Sequence, residues 1–206
     1  HQFGLQSATS SSFKITMEEP ASNQAFFNSR LVGLMFLHNK GKFFGTLSLF
    51  AESEAMKQST DKLGNEGYGM MSRLVYRPLR DPGNILHIGL SGAFESPRYS
   101  AKPEDNHRSY ALKSEFPTRI ARVAAQQADI TEAKMLYKFT PEVTAAIGRL
   151  AIESQYFFVT VNREKDLPRY QASGAYALLR GLVKGNGYVY SDGDSGIDTP
   201  APGSME

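Results

Sequence analysis

The sequence predicts an all-β, antiparallel fold, and two observations carry that reading. From Tyr68 to Phe94 the chain reads as one hairpin. Tyr68, Met70, Leu74 and Tyr76, then Leu86, Ile88, Leu90 and Phe94, hold even positions, while Arg73, Arg77, His87, Gly89, Ser91 and Glu95 hold odd ones. Side chains on a strand alternate faces, so each arm has one apolar face and one polar or small face. The same period of two recurs further along, in segments joined alternately by tight turns and long polar stretches. Each arm is about ten residues or a little longer, the length a tilted strand needs to cross a bilayer. Two architectures share this pattern: a transmembrane barrel facing lipid, and a soluble or surface-attached β-sandwich that binds a ligand through its loops.

The bulk numbers narrow the function classes. The 206 residues contain no apolar run approaching the roughly eighteen residues of a membrane helix, although 41% are hydrophobic. That excludes helical spans and leaves a barrel open, because alternation keeps a barrel's mean hydropathy near that of a soluble protein. A net charge of +2 gives no argument for nucleic acid, and the absence of cysteine excludes thiol chemistry and Cys-based metal sites. The chain starts at His1 without a basic and apolar signal region and stops in a Gly/Pro/Ser/Asp-rich stretch, which suggests a piece of a longer protein.

In chain order, residues 1 to 29 read as an irregular segment with short extended pieces. Arg30 to His38 is apolar in both parities, so it is a strand of ambiguous facing, and Asn39-Lys40-Gly41-Lys42 is a turn signal. In the next strand Phe43, Leu47, Leu49 and Ala51 oppose Thr46, Ser48 and Glu52. A polar loop from Ser53 to Gly67 precedes the hairpin, whose turn is Asp81-Pro82-Gly83-Asn84. Pro97 to Thr118 reads as a long excursion, and residues 119 to 128 suit a helix by propensity. From Asp129 to Phe139, Thr131, Ala133, Met135, Tyr137 and Phe139 alternate with Glu132, Lys134 and Lys138. Pro141-Glu142 is expected to turn, and Ile147 to Val161 to form a strand with Leu150, Ile152, Tyr156 and Phe158 opposite Arg149, Glu153 and Gln155. After a charged turn over Asn162 to Pro168, Tyr170, Ala172, Tyr176 and Leu178 are expected to face outward, opposite Arg169, Gln171 and Ser173. The count is about seven or eight strands, with tyrosine and phenylalanine often near strand ends, as an interfacial girdle requires.

Residues near the start carry a resemblance. His1-Gln2-Phe3-Gly4-Leu5, Thr9-Ser10-Ser11 and Met17-Glu18 resemble the Phe-Gly-Leu, Thr-Ser-Ser and Met-Glu-Arg segment of the phosphate-selective porin O and P family. The stretch Arg98 to Phe116, with Lys102-Pro103-Glu104, looks like that family's basic, Pro-containing loop, and Tyr170 to Gly181 like the strand before its last third. The similarity spans nearly the whole chain in family order. It implies an outer-membrane porin of a Gram-negative bacterium, about sixteen-stranded, usually homotrimeric, passing small anions such as phosphate by passive diffusion, with no enzymatic activity and no cofactor. On that reading 1–206 is one partial barrel domain: 1–29 the constriction-loop region, 30–182 strands and loops, and 183–206 a loop.

The resemblance puts Ser10 and Ser11 in a loop folded into the lumen, where serines and basic side chains strip water from the anion. Two departures weaken phosphate selectivity: Ser12, with Lys14 two positions on, replaces a basic residue, and Glu19 replaces an arginine. The expected lumen-facing cations are Arg73, Arg77, Lys134, Lys138, Arg149 and Arg169, a ladder that draws anions through if Glu95, Glu132 and Glu153 do not balance it. Asp192-Gly-Asp-Ser-Gly-Ile-Asp198 invites a calcium reading but lacks the EF-hand spacing, so an exposed loop is expected there. The four histidines have no ligand spacing, and no metal site is expected.

Overall fold

The computed structural model describes residues 3–10, 14, 16, 19–26, 31–51, 68–96, 110–116, 123–193, 195–198 and 200. Two short helices come first, α1 (Leu5–Ala8) and α2 (Ala21–Phe26). Among the described residues eleven strands follow: β1 (Val32–Lys40), β2 (Phe43–Ala51), β3 (Tyr68–Asp81), β4 (Asn84–Glu95), β5 (Tyr110–Glu115), β6 (Ala124–Ile130), β7 (Ala133–Ile147), β8 (Leu150–Arg163), β9 (Tyr170–Gly181), β10 (Tyr190–Ser191) and β11 (Gly196–Ile197). Seven of them make one sheet in the order β1-β2-β3-β4-β7-β8-β9, every neighbouring pair antiparallel. The sheet is open, with β1 and β9 at its edges.

Connections at the two ends of the sheet differ. At one end two residues each join β1 to β2 (Gly41-Lys42), β3 to β4 (Pro82-Gly83) and β7 to β8 (Gly148-Arg149). In the middle turn proline presets φ at the first position and Gly83 takes φ +70° at the second, where glycine is favoured. At the other end the connections are longer, from six residues between β8 and β9 to the one from β4 to β7, which carries the separate β5–β6 hairpin.

Directly paired residues of an antiparallel ladder share a face, so the register assigns every strand. Leu47, Leu49, Leu74, Tyr76, Ile88, Leu90, Tyr137, Phe139, Ile152 and Tyr156 form an exposed apolar outer band. Aromatic pairs stand in it, Phe43 with Tyr76 at 5.2 Å and Phe139 with Phe158 at 5.3 Å between ring centroids. On the inner face Thr46, Ser48, Arg73, Arg77, His87, Ser91, Glu95, Lys138, Glu142, Glu153 and Gln155 are buried. The inner face is capped at both ends. Phe3, Phe26, Tyr110, Leu112 and Ile130 pack on Phe50, Met71, Leu136, Phe157, Val159 and Val161 toward the long connections. Tyr188, Tyr190 and Ile197 pack on Ile85, Ala146 and Ala151 toward the turns.

Several expectations are corrected. Pro141-Glu142 lies within β7, not in a turn. Pro141 points outward opposite Leu90, and the β7–β8 ladder skips Thr140 and Pro141, so the missing N–H costs no bond there. The turn falls at Gly148-Arg149 instead, splitting the expected strand through Ile147. Residues 124–130 form β6, because they find an extended partner in β5, which itself lies inside the expected excursion. The alternation from Asp129 to Phe139 breaks at Glu132 (φ +54°) and at a bulge between Ala133 and Met135, which leaves Lys134 exposed. In β9 the expected facing is inverted: Tyr176 lies opposite Gln155 and Arg180 opposite Ala151, both inner positions. The segment before β1 contains α1 and α2, and the one after β9 contains the β10–β11 ladder. Glu52 and the loop 53–67 lie outside the described residues.

Candidate functional site

The inner wall is built around β4. Arg73 on β3 and Glu142 on β7 flank it, and Gly89 between them has no side chain. A Cβ on Gly89 would lie 2.6 Å from Glu142 Oε1, so the glycine lets the glutamate cross the strand. Glu142 Oε1 then accepts from Arg73 Nε at 2.9 Å and Nη2 at 2.7 Å, with both side chains fully buried. His87 Nε2 lies 2.9 Å from the same oxygen. A carboxylate only accepts, so Nε2 carries the proton, and in the neutral ring Nδ1 accepts from the Tyr190 hydroxyl 2.7 Å away. Burial pushes the Tyr190 phenol above its ordinary range, keeping it a neutral hydroxyl.

The remaining inner cations are matched in the same way. Lys138 pairs with Glu95 at 2.6 Å and donates to the Phe26 carbonyl at 3.0 Å. Arg180 pairs with Glu153, which also accepts from Gln6 on α1 and, at 2.9 Å, from the Tyr176 hydroxyl. Arg77 stacks over the Phe44 and Tyr190 rings, bonds Asn39, and reaches the Asp192 carboxylate at 3.3 Å; Arg80 reaches that carboxylate at 2.7 Å. Two chain segments therefore lie on the inner face. The Gly4 amide donates to Ser91 Oγ (3.0 Å) and the Gln6 amide to Gln155 Oε1 (3.1 Å), while Arg73 and Arg77 donate to Ser195 and Asp192 of the segment after β9. That segment passes tightly under the turns. Gly187, at φ +128°, would place a Cβ 2.9 Å from Gly83 Cα, and the Tyr188 carbonyl accepts from the Gly83 amide at 2.8 Å.

The structure brings only some of the sequence-derived candidates together. Arg73, Arg77 and Lys138 line the inner wall. Lys134 does not: the bulge leaves it exposed away from Lys138. Arg149 lies in the β7–β8 turn, its Nε donating to the Gly185 carbonyl at 3.0 Å, and Arg169 is exposed before β9. Lys14 pairs with Glu19 at 2.6 Å, so the acid that stands where the family has an arginine neutralises the cation that follows Ser12. Ser10 is half-buried, and Ser11 and Ser12 lie outside the described residues. Asp192, expected in an exposed acidic loop, is held by the two arginines.

Sequence reasoning missed His87, Glu142 and Arg180. His87 was on the right face without a role. Glu142 shares its parity with Lys138 and Thr144, a signal hidden by treating Pro141 as a breaker. Arg180 lies four residues after Tyr176 and shares its face once the facing of β9 is known.

Chemically this is a wall of fixed, paired charges behind an apolar outer face. A sheet of that polarity separates lipid from a polar interior. Compared with known families, residues 1–204 match the family described as phosphate-selective porin O and P. Among curated proteins there is no significant match.

Proposed function

The chain belongs to the phosphate-selective porin O and P family, a family of outer-membrane channels rather than enzymes, and from that premise we propose that it lines a water-filled pore through which small solutes, anions such as phosphate among them, diffuse passively. The observation that carries this is the polarity of the sheet: an exposed apolar outer band across strands that bury arginine, lysine and glutamate on the inner side. Family membership supports anions as the solute class. The pairing of Arg73, Lys138, Arg180 and Lys14 with carboxylates supports a modest preference over a tight phosphate site, because a neutralised cation attracts a passing anion weakly.

The open edges β1 and β9 support a larger barrel, since backbone groups left unpaired in hydrocarbon each cost several kcal/mol. In this proposal the seven strands are one arc of a wall of about sixteen. Residues 1–29 form the constriction region, as the seating of Gly4 and Gln6 on the inner face suggests, and 183–206 form an inward loop. The pore assembles as a homotrimer in the outer membrane of a Gram-negative bacterium.

Reversal potential of the intact protein in a planar bilayer under a salt gradient, repeated with added phosphate, tests the function. Anion preference without block at low phosphate is the expected result. Block of chloride current by low phosphate would indicate a tight phosphate site, and repeated verified insertions without conductance would refute the pore.

A further inference from the structure

At the long-connection end of β7, β8 and β9 there is a cleft of about 790 Å³ lined by Lys134, Met135, Tyr137, Asn162 and residues 163–167 and 169. We propose that this cleft binds a phosphorylated lipid headgroup of the outer leaflet through Lys134 and Arg169. The inference rests on the outer-membrane reading above and adds a ligand to the outside of the wall.

The bulge in β7 is the first reason. It turns Lys134 out of the lumen series, next to Met135 and the outward Tyr137, so the cation stands where the apolar band ends. Tyrosine at the edge of such a band marks the level of lipid headgroups, and basic residues there attract their phosphates. The second reason is commitment. Arg163 is tied to the Thr131 carbonyl at 2.9 Å and Lys165 to Glu132 at 2.7 Å, whereas Lys134 and Arg169 have no carboxylate partner among the described residues. With Lys165 neutralised by Glu132, the lining still holds three cations (Lys134, Arg163, Arg169) against two carboxylates (Glu164, Asp166), an excess that favours an anion. The third is polarity. Met135, Tyr137 and Leu167 give the cleft an apolar side, which suits a phosphate attached to acyl chains better than the free ion. Arginine also grips phosphate through two parallel N–H donors.

The test is native mass spectrometry of the intact protein in detergent with bisphosphorylated lipid A, and with the same lipid after removal of its phosphates. The bisphosphorylated form should stay bound and the dephosphorylated form should dissociate. K134Q/R169Q should weaken retention roughly tenfold or more, at about tenfold per 1.4 kcal/mol. Lys134→Arg should keep binding, and K40Q/K42Q at the opposite end should leave it unchanged. Equal retention of the dephosphorylated lipid, or no effect of K134Q/R169Q, would overturn the proposal. Displacement of the lipid by millimolar inorganic phosphate would also overturn it and reassign the cleft to free phosphate. The same preparations are inserted in planar bilayers. Conductance without lipid retention rejects this site alone, and absence of conductance rejects the pore.

Discussion

Replacing Glu142 by glutamine keeps the shape of the side chain and removes its charge. The carboxylate accepts three hydrogen bonds through Oε1, from Arg73 Nε, Arg73 Nη2 and His87 Nε2, at 2.9, 2.7 and 2.9 Å. Arg73 and Glu142 have no exposed side-chain surface. Removing one partner of a buried pair leaves a desolvated charge uncompensated and costs about 3–5 kcal/mol, whereas an exposed pair is worth about 0–1 kcal/mol. The structure therefore predicts a loss of about 3 kcal/mol or more in E142Q. Urea unfolding of the intact protein refolded in detergent, followed by the shift between folded and unfolded bands in electrophoresis, measures it. R73Q/E142Q should recover part of the loss, since the orphaned guanidinium is gone, and the double-mutant cycle gives the coupling directly. A loss below about 1 kcal/mol in E142Q would refute the reasoning, because it would mean that water screens the pair and the wall is wet at that height.

Gly89→Ala should act on the same pair from the other side: its Cβ, 2.6 Å from Glu142 Oε1, displaces the carboxylate, and stability should fall with that of E142Q rather than add to it in the double variant. Asp192→Asn removes the anion shared by Arg77 and Arg80 and should shift the reversal potential toward anions, while the uncharged wild-type wall position Ser48→Asn should not. Leu90→Arg places a charge in the outer apolar band and should destabilise the refolded protein by about 2–4 kcal/mol at mid-membrane depth; a change under about 1 kcal/mol would mean that this face meets water.

Much of the sheet was legible in the sequence. The hairpin from Tyr68 to Phe94 has the even-outward, odd-inward facing its residues suggest up to the bulge after Tyr76, and its Pro-Gly turn lies where expected. The asymmetry of short and long connections is also present. Misreadings came where local signals were taken as decisive. A proline reads as a breaker, yet Pro141 sits at a position where the ladder asks for no N–H. The propensity of residues 119–128 leaves a helix open there, and from Ala124 on they pair with β5 instead, because pairing overrides propensity. The facing of β9 could not be read from β9 alone, because tyrosines and alanines suit lipid and lumen edge equally.

Period and turn chemistry are local, so the sequence by itself determined that the chain is antiparallel β, that most strands have one lipid-type face, and that Arg73, Arg77 and Lys138 share the other. Which charges cancel is not local. Glu142 reaches Arg73 from 69 residues away across a strand that has no side chain at Gly89, and Asp192 reaches Arg80 from 112 residues away. A single bulged residue took Lys134 out of the buried inner series and left it exposed. Tertiary structure alone decided these points, because a carboxylate's partner depends on strand order and register, which a pattern of period two leaves free.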